Sequence, residues 1–280
     1  MDMLVSTDWL ADNLATVTVL DATKHLASAG RDPAAEFSEG HIPGARFLDL
    51  GSLNDPTSPV PAALPNAEQF AERLAALGVA DGGRVVLYDD SALRTSARAW
   101  FVFRMFGWRD VAVLDGGLAK WRAEGRPVEA GIRPDTRSTA AAYEANPARV
   151  RSKADMLANI ASGAEQVVDA RDAERFTGAK EDAVHGLPGG HVPGSRHLHY
   201  RAVLSDDGTF KRGDELRAAF EEAGIDLDRP VIATCGSGVT ASVLLFALEL
   251  LGKHDSALYD GSWSEWGADP ATPKETGPAR

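Results

Sequence analysis

The chain has 280 residues, of which 44% are hydrophobic and 25% are charged, and its formal net charge is −12. This length suits two domains of about 100 to 150 residues each, with the composition of an ordinary globular protein. The acidic balance argues against a surface that binds nucleic acid or anionic membranes, so we expect neither partner.

The amino-terminal residues and the cysteine count indicate the compartment. The first residues lack the basic and apolar regions of a secretory signal, and no apolar run approaches about 18 residues, which predicts a cytoplasmic protein. The single cysteine, Cys235, excludes an internal disulfide and supplies too few thiolates for a structural zinc site. We therefore expect no metal and no cofactor.

Strands and helices alternate along the first half of the chain. A strand is predicted at residues 17–22, the turn motif GHIPGA follows at residues 40–45, and a helix is predicted at residues 68–77 before a strand at residues 84–88. The apolar runs are continuous rather than alternating, which is typical of strands buried on both faces of a parallel sheet.

The second half repeats this order. A strand is predicted at residues 166–170, GHVPGS follows at residues 190–195, and a helix at residues 214–223 precedes a strand at residues 231–234. An apolar run at residues 241–251 then predicts a buried helix.

The repeat defines the domain organisation. His41 and His191 of the two turn motifs are 191 − 41 = 150 residues apart, which is the length of a domain rather than of a solenoid repeat. Strands that alternate with helices predict an α/β fold, with a parallel sheet flanked by helices in each copy. We predict domains at residues 1–128 and 150–280, joined by a linker at residues 129–149 beside which a cleft forms.

The cysteine lies between the predicted strand at residues 231–234 and the predicted helix at residues 241–251. Gly236 and Gly238 let the backbone curl around the sulfur of Cys235, so loop N–H groups and the positive end of the helix are expected to stabilise a thiolate. The alternative is a cysteine that serves as a small core hydrophobe. The order of strand, cysteine, glycines and helix favours a nucleophile.

Only the second domain has this loop. Alignment of the repeat puts Asp89 at the position of Cys235, and residues 90–96 contain no glycine. The first domain is therefore predicted to be inactive and to form the other wall of the cleft.

Two hydroxyl side chains follow the cysteine in the loop. A thiolate that attacks a donor sulfur becomes a persulfide, which is again an anion that the same N–H groups can hold. Ser237 and Thr240 add hydroxyl donors, with Val239 between the second glycine and Thr240. Capping of the next helix is the alternative role for Thr240.

These motifs together resemble the two-domain rhodanese superfamily. Besides the two GHxPG turns, LDGG at residues 114–117 with Trp121 matches YDGSW at residues 259–263, where Trp263 or Trp266 is the counterpart, and CGSGVTAS follows in the second half alone. The resemblance implies two tandem rhodanese-like domains and a persulfide on Cys235. It also implies transfer of sulfane sulfur from a small-molecule donor to cyanide or a thiol, either a small thiol or a thioredoxin-like protein.

The loop is most similar to that of the 3-mercaptopyruvate sulfurtransferases of this superfamily. The resemblance implies that Ser237 works with a histidine and an aspartate of the first domain, which His41 and Asp32 match. It also implies that Arg175 binds the carboxylate of the donor, a task that suits the paired N–H groups of a guanidinium. The loop residues are expected to complete the donor site: Gly236, Gly238, Val239 and Thr240.

Two alternatives to a mercaptopyruvate sulfurtransferase stay open, and a third is set aside. Mercaptopyruvate enzymes usually supply a second arginine about nine residues after the first, where this chain has Val184 and His185, so thiosulfate is the alternative donor. A non-catalytic persulfide carrier that docks a partner is a further alternative. A dual-specificity phosphatase is set aside because its Cys-x5-Arg loop needs arginine where Ala241 stands. His191 is expected only to stabilise its turn.

Overall fold

The structure is a computed structural model that describes residues 1–132 and 137–279. It divides into two compact units. The described residues of unit 1 belong to three segments, Met1–Asp55, Leu64–Asn146 and Asp206–Thr209, and the other described residues form unit 2. Residues 133–136 of the predicted linker lie outside the described residues, and the domain bounds stay a prediction.

Unit 1 is built on a five-stranded sheet in which neighbouring strands are parallel. Its strands are β1 (Leu4–Val5), β2 (Thr18–Asp21), β3 (Arg46–Phe47), β4 (Val85–Tyr88) and β5 (Val111–Leu114), and their spatial order is β1-β5-β4-β2-β3. Its α-helices are α1 (Thr7–Asn13), α2 (Pro33–Glu39), α3 (Ala67–Ala76), α4 (Ser96–Met105) and α5 (Gly117–Ala123). Short 3-10 helices lie at Leu14–Thr16, Ala27–Ala29 and Leu50–Leu53.

Unit 2 repeats this arrangement with a second five-stranded parallel sheet. Its strands are β6 (Val150–Arg151), β7 (Gln166–Asp169), β8 (Arg196–His197), β9 (Val231–Thr234) and β10 (Ser256–Tyr259), in the spatial order β6-β10-β9-β7-β8. Its α-helices are α6 (Lys153–Ser162), α7 (Ala173–Thr177), α8 (Gly213–Glu222), α9 (Val239–Leu250) and α10 (Ser262–Trp266). Short 3-10 helices lie at Pro147–Arg149 and Tyr200–Val203.

The strands at the centre of each sheet carry the predicted apolar runs. All residues of β4 and β9 are buried, which explains why neither strand alternates polar and apolar side chains. Full burial of a large apolar side chain stabilises the folded state by about 1.5–3 kcal/mol, so these strands anchor each core. The predicted α/β class with parallel sheets is confirmed.

The helix after the cysteine begins earlier than the sequence pattern predicts. We predicted a start at residue 241, whereas α9 begins at Val239. Gly238 has a φ of +78°, a left-handed conformation that turns the chain immediately before the helix and leaves Val239 as the first helical residue. At the other end, Gly252 has a φ of +80°, which fits its predicted place just beyond the helix.

The closing tryptophans of the two units have matching contacts. Nε1 of Trp121 donates to the carbonyl oxygen of Pro127 at 2.7 Å, and Nε1 of Trp266 donates to that of Pro273 at 2.8 Å. Trp266 rather than Trp263 is therefore the counterpart of Trp121. Within the described residues, no helix combines the length and the apolar character that crossing a membrane requires.

A buried carboxyl group at the end of β2 makes the stability of unit 1 depend on pH. Asp21 is 2% exposed, and burial raises its pKa to about 6, although hydrogen bonds from Thr23 oppose the rise. In unit 2 the equivalent Asp169 pairs with Arg171, whose Nη2 lies 2.7 Å from Oδ2. Thr23 stands at the arginine's position in unit 1, so Asp21 has no such charged partner beside it in the chain.

We expect Asp21→Asn to gain stability relative to the wild type as pH rises from 4 to 7. The folded state holds the Asp21 proton more tightly than the unfolded state, so its favourable contribution is complete below pH 3.8 and is lost as pH rises through about 6. The difference in unfolding free energy between variant and wild type should change by about 3 kcal/mol over this range. Urea unfolding at several pH values measures it, with Asp2→Asn at an exposed position as the control. A difference that does not vary with pH would contradict the prediction.

Candidate active site

Cys235 directly follows β9 and is held by the first three residues of α10. The side chain is almost fully buried, with 2% exposure. The Cys235 N–H donates to Oγ of Ser262 at 3.2 Å, and the Cys235 carbonyl accepts from the N–H of Trp263 at 2.9 Å. The carbonyl of Gly236 accepts from the N–H of Ser264 at 2.9 Å. These three bonds fix the backbone of Cys235 and Gly236 at the start of the loop.

The rest of the loop presents backbone donors. In the chain as described, the N–H groups of residues 236–241 have no backbone or side-chain acceptor. They lie at the amino end of α9, where the helix dipole is positive, and residues 235–242 include no charged side chain. This arrangement is suited to an anion. No described group donates a hydrogen bond to Sγ of Cys235, so stabilisation of the thiolate itself by these donors stays a prediction.

The hydroxyls of Ser237 and Thr240 are available at the same place. Both residues are partly exposed, and neither hydroxyl bonds to another described residue. Gly238 is the residue before α9, and no side chain caps that helix, so the alternative that Thr240 serves as its cap is wrong. The predicted donor-binding roles of Ser237, Val239 and Thr240 stay predictions.

The equivalent loop of unit 1 contains its own acid. Asp89 follows β4, and its carbonyl accepts from the N–H of Leu118 at 3.1 Å, as the carbonyl of Cys235 accepts from Trp263. Its two carboxyl oxygens accept from the N–H groups of Ser91 at 2.9 Å and Ser96 at 2.8 Å. Burial raises the pKa of Asp89 against these hydrogen bonds. The backbone donors that an incoming anion would need are thus already occupied.

A cluster of charged side chains surrounds Asp182 in unit 2. Asp182 is fully buried, and its oxygens lie 3.3 Å from Nη1 of Arg171 and 3.4 Å from Nη1 of Arg175. Nδ1 of His185 lies 2.9 Å from Oδ1 of Asp182. Arg175 also pairs with Asp172 and is 24% exposed. Its predicted contact with the donor carboxylate stays a prediction.

Sequence reasoning did not single out Asp182, and it noted His185 only as a departure from the family pattern. One signal was available in the repeat. The acid that ends the first strand precedes the motif histidine by 41 − 21 = 20 residues in unit 1 and by 191 − 169 = 22 residues in unit 2. The longer of these two stretches, residues 169–191, contains Asp182 and His185. Among the residues that the structure describes, no group of histidine, cysteine and acidic side chains could hold a metal ion.

A family model of the rhodanese-like domain matches residues 6–124 and, a second time, residues 152–269. The chain belongs to the rhodanese family. The predicted superfamily and its two tandem domains are confirmed.

Similar rhodanese proteins have been named for two donors. The chain is 40% identical to 3-mercaptopyruvate sulfurtransferase of Mus musculus, over 94% of this chain and 91% of that protein. It is 39% identical to thiosulfate sulfurtransferase of Cricetulus griseus, with the same coverage of 94% and 91%. The crystal structure of SseA from Escherichia coli, reported with the rhodanese fold of 3-mercaptopyruvate sulfotransferases, has a TM-score of 0.85 at 36% identity and covers 94% of this chain and 99% of that one. The prediction of a sulfurtransferase is confirmed at the level of enzyme class.

The two rhodanese turn histidines have matching surroundings. His41 and His191 are each 2% exposed, and Nδ1 of each lies 2.8 or 2.9 Å from a carbonyl oxygen, that of Phe37 or Phe176. Each imidazole also stacks on the phenylalanine whose carbonyl it contacts, with ring centroids 4.0 Å apart for His41 and 3.9 Å apart for His191. The expected structural role of His191 fits this geometry, and a different role for His41 stays a prediction.

Asp32 has a structural task in the first rhodanese domain. It is exposed and precedes α2, where Oδ1 accepts from the N–H groups of Ala34 at 2.9 Å and Ala35 at 3.2 Å. These bonds satisfy donors that the helix itself leaves unpaired. Participation of Asp32 in the reaction stays a prediction.

Proposed function

We propose that this chain moves sulfane sulfur from 3-mercaptopyruvate to a thiol or cyanide through a persulfide on Cys235. One observation carries the proposal. A single buried thiol stands directly before the unoccupied N–H donors of residues 236–241, in a loop that contains no cationic side chain.

The first half-reaction loads the cysteine. The Cys235 thiolate attacks the thiol sulfur of the donor, an S–S bond forms, and the C–S bond breaks with its electron pair passing to the pyruvyl group as an enolate. The outer sulfur lies about 2 Å beyond Sγ, toward the donors of residues 236–241. The carbonyl oxygen of the donor gains negative charge as the enolate forms. We propose that the hydroxyl of Ser237, assisted by His41 and Asp32, stabilises this charge.

The second half-reaction unloads the cysteine. An acceptor thiolate or cyanide attacks the outer sulfur, and Cys235 leaves as a thiolate that the next donor can use. A small thiol or a thioredoxin-like protein is the proposed biological acceptor. Cytoplasmic placement belongs to the same proposal, because a lone thiol that must remain reduced suits a reducing compartment.

The charge of the loop favours mercaptopyruvate over thiosulfate. Thiosulfate is a compact dianion, and a site for it gains from cations beside the sulfur, each worth on the order of a few kcal/mol in a partly desolvated cleft. Residues 235–240 supply none. Mercaptopyruvate carries its charge on a carboxylate away from its sulfur, where Arg175 is proposed to bind it.

The donor comparison tests the proposal. Initial rates with 3-mercaptopyruvate and with thiosulfate, at matched pH and cyanide concentration, should give the larger kcat/KM for mercaptopyruvate. A larger value for thiosulfate would overturn the donor and leave the sulfurtransferase class intact. Loading of Cys235 is monitored by mass spectrometry. If neither donor loads Cys235, the alternative function, a non-catalytic persulfide carrier, is favoured.

A matched pair of variants tests the role of His41. Because His41 stacks on and bonds to Phe37 as His191 does with Phe176, His41→Ala and His191→Ala should lose similar stability, on the order of 1–3 kcal/mol. Only His41→Ala should also lower kcat with mercaptopyruvate. Turnover is measured at equal folded fraction, as judged by circular dichroism. Equal loss of kcat in both variants would mean that the GHxPG motif has only a structural role in both domains.

A further inference from the structure

The imidazole of His185 lies directly against the cysteine loop. A β-carbon built on Gly236 would clash with Cε1 of His185 and would be 3.0 Å from each ring nitrogen. Because a Cα–Cβ bond is about 1.5 Å long, Nε2 lies at most about 4.5 Å from Cα of Gly236. The space beside Gly236 is thus filled by the histidine ring, which is adjacent to the residue that follows Cys235.

The neighbouring Val184 shows that this placement is specific. Val184 is 49% exposed, whereas the side chain of His185 is 14% exposed and packs on Gly236. The chain therefore has a titratable side chain next to its loop.

Asp182 determines the orientation of the histidine ring. Burial raises the pKa of Asp182, but the hydrogen bond from His185 and the charges of His185, Arg175 and Arg171 outweigh this effect and lower the pKa to about 2. A carboxylate only accepts hydrogen bonds, so Nδ1 of His185 carries the proton of their 2.9 Å bond. In the neutral form of this ring the lone pair is therefore on Nε2, to which no described residue donates.

The ring of His185 contacts the Asp182 carboxylate through Nδ1 and lies against the Cys235 loop at Gly236. The groups that face it are Asp182, the two arginines behind Asp182, and the Cys235 loop. A histidine that is backed by a buried carboxylate is held in one tautomer and is stabilised when it becomes an imidazolium. This is the geometry of a general base that later acts as a general acid.

We infer that the His185–Asp182 pair is the proton carrier of persulfide formation. The inference rests on the proposed function. When the Cys235 thiolate forms the S–S bond and the C–S bond breaks, the proton of the donor thiol passes to Nε2 of His185. The imidazolium then returns it to the methylene carbon of the enolate. The products are pyruvate and the Cys235 persulfide anion, and no other reactant is consumed.

The two half-reactions separate this role from a structural one. Only loading from mercaptopyruvate involves the transferred proton, whereas cyanide attack on the persulfide involves none. His185→Ala should slow single-turnover release of pyruvate by about 10²-fold and leave cyanide discharge of preloaded persulfide within about twofold of wild type. His185→Gln should be equally slow, because an amide keeps a hydrogen bond but cannot carry a proton. Added imidazole should restore part of the loading rate in His185→Ala.

His254→Ala is the matched control. His254 also pairs with a carboxylate, Glu249, but it lies beyond the far end of α9 and its side chain is 67% exposed. Both half-reactions should match the wild type in this variant.

Four outcomes would overturn the inference. These are unchanged loading in His185→Ala, equal slowing of both half-reactions, wild-type loading in His185→Gln, or no rescue by imidazole. Failure of the wild-type protein to release any pyruvate would instead overturn the proposed function, and the inference with it.

Discussion

Replacement of Cys235 by serine should abolish sulfur transfer with every donor. It is the only thiol of the chain, so no other side chain can form the persulfide. Loss of a covalent nucleophile lowers turnover by several orders of magnitude, and we expect a decrease on the order of 10⁴-fold or more. Thiocyanate formation from cyanide measures the loss. The wild-type protein incubated with donor should gain one sulfur per chain, and the serine variant should gain none.

The fold of the Cys235→Ser variant should be retained. The contacts that hold this residue use its backbone, namely the N–H bond to Ser262 and the carbonyl bond from Trp263. Serine is close in size, and burial of its hydroxyl without a good partner costs about 1–3 kcal/mol. Circular dichroism and thermal unfolding check the fold. Substantial sulfur transfer by a folded serine variant would refute the persulfide on Cys235.

Replacement of Arg175 by alanine should raise KM for 3-mercaptopyruvate. A hydrogen bond between charged groups is worth about 1.5–3 kcal/mol, which corresponds to an increase in KM of roughly tenfold to a hundredfold. The guanidinium is 24% exposed, so the lower half of this range is expected. Because binding of the carboxylate contributes equally to the ground state and the transition state, kcat should change little. Arg175→Lys should recover part of the affinity, since it keeps the charge without the paired N–H groups.

Arg217→Ala is the matched control for this experiment. Arg217 lies on α8 of the same unit, is 47% exposed and pairs only loosely with Glu221 at 3.8 Å. Its removal should leave KM unchanged. If Arg175→Ala lowers kcat and leaves KM unchanged, or if Arg217→Ala has the same effect as Arg175→Ala, the proposed carboxylate contact is wrong. Thermal unfolding accompanies both variants, because Arg175 also contacts the buried Asp182.

Local patterns in the sequence were sufficient for the central strands β2, β4, β7 and β9 and for helices α3, α8 and α9, and they single out Cys235 as the candidate nucleophile. The run at β9 is apolar throughout because the strand is buried on both faces, and that property is visible without a partner strand. The glycines after Cys235 indicate a tight loop before a helix, and Gly238, with a φ of +78°, adopts the left-handed backbone that favours glycine. The internal repeat then revealed the domain pair and the missing thiol at Asp89. Each of these signals lies within a short stretch of chain.

Helix starts were less predictable than helix existence. The apolar run that marks α9 begins at Ala241, but Val239 and Thr240 are already helical because Gly238 turns the chain just before them. A hydrophobic pattern reports which side chains are buried, whereas the first turn of a helix is determined by backbone conformation. The alternative role of Thr240 as a cap is wrong for the same reason.

The surroundings of the nucleophile depended on tertiary structure. Ser262 holds the loop through its hydroxyl, and Trp263 and Ser264 hold it through their N–H groups, across a separation of 27 or 28 residues that no sequence motif specifies. His185 approaches Gly236 from a connection about 50 residues away, and the buried Asp182 orients it by charge. The sequence by itself determined the family and the duplicated α/β fold and singled out Cys235 as the candidate nucleophile, because these inferences depend on local periodicity and on short motifs. Only the folded chain decided which histidine adjoins the loop, since a contact between distant segments depends on how the sheet and its connections pack.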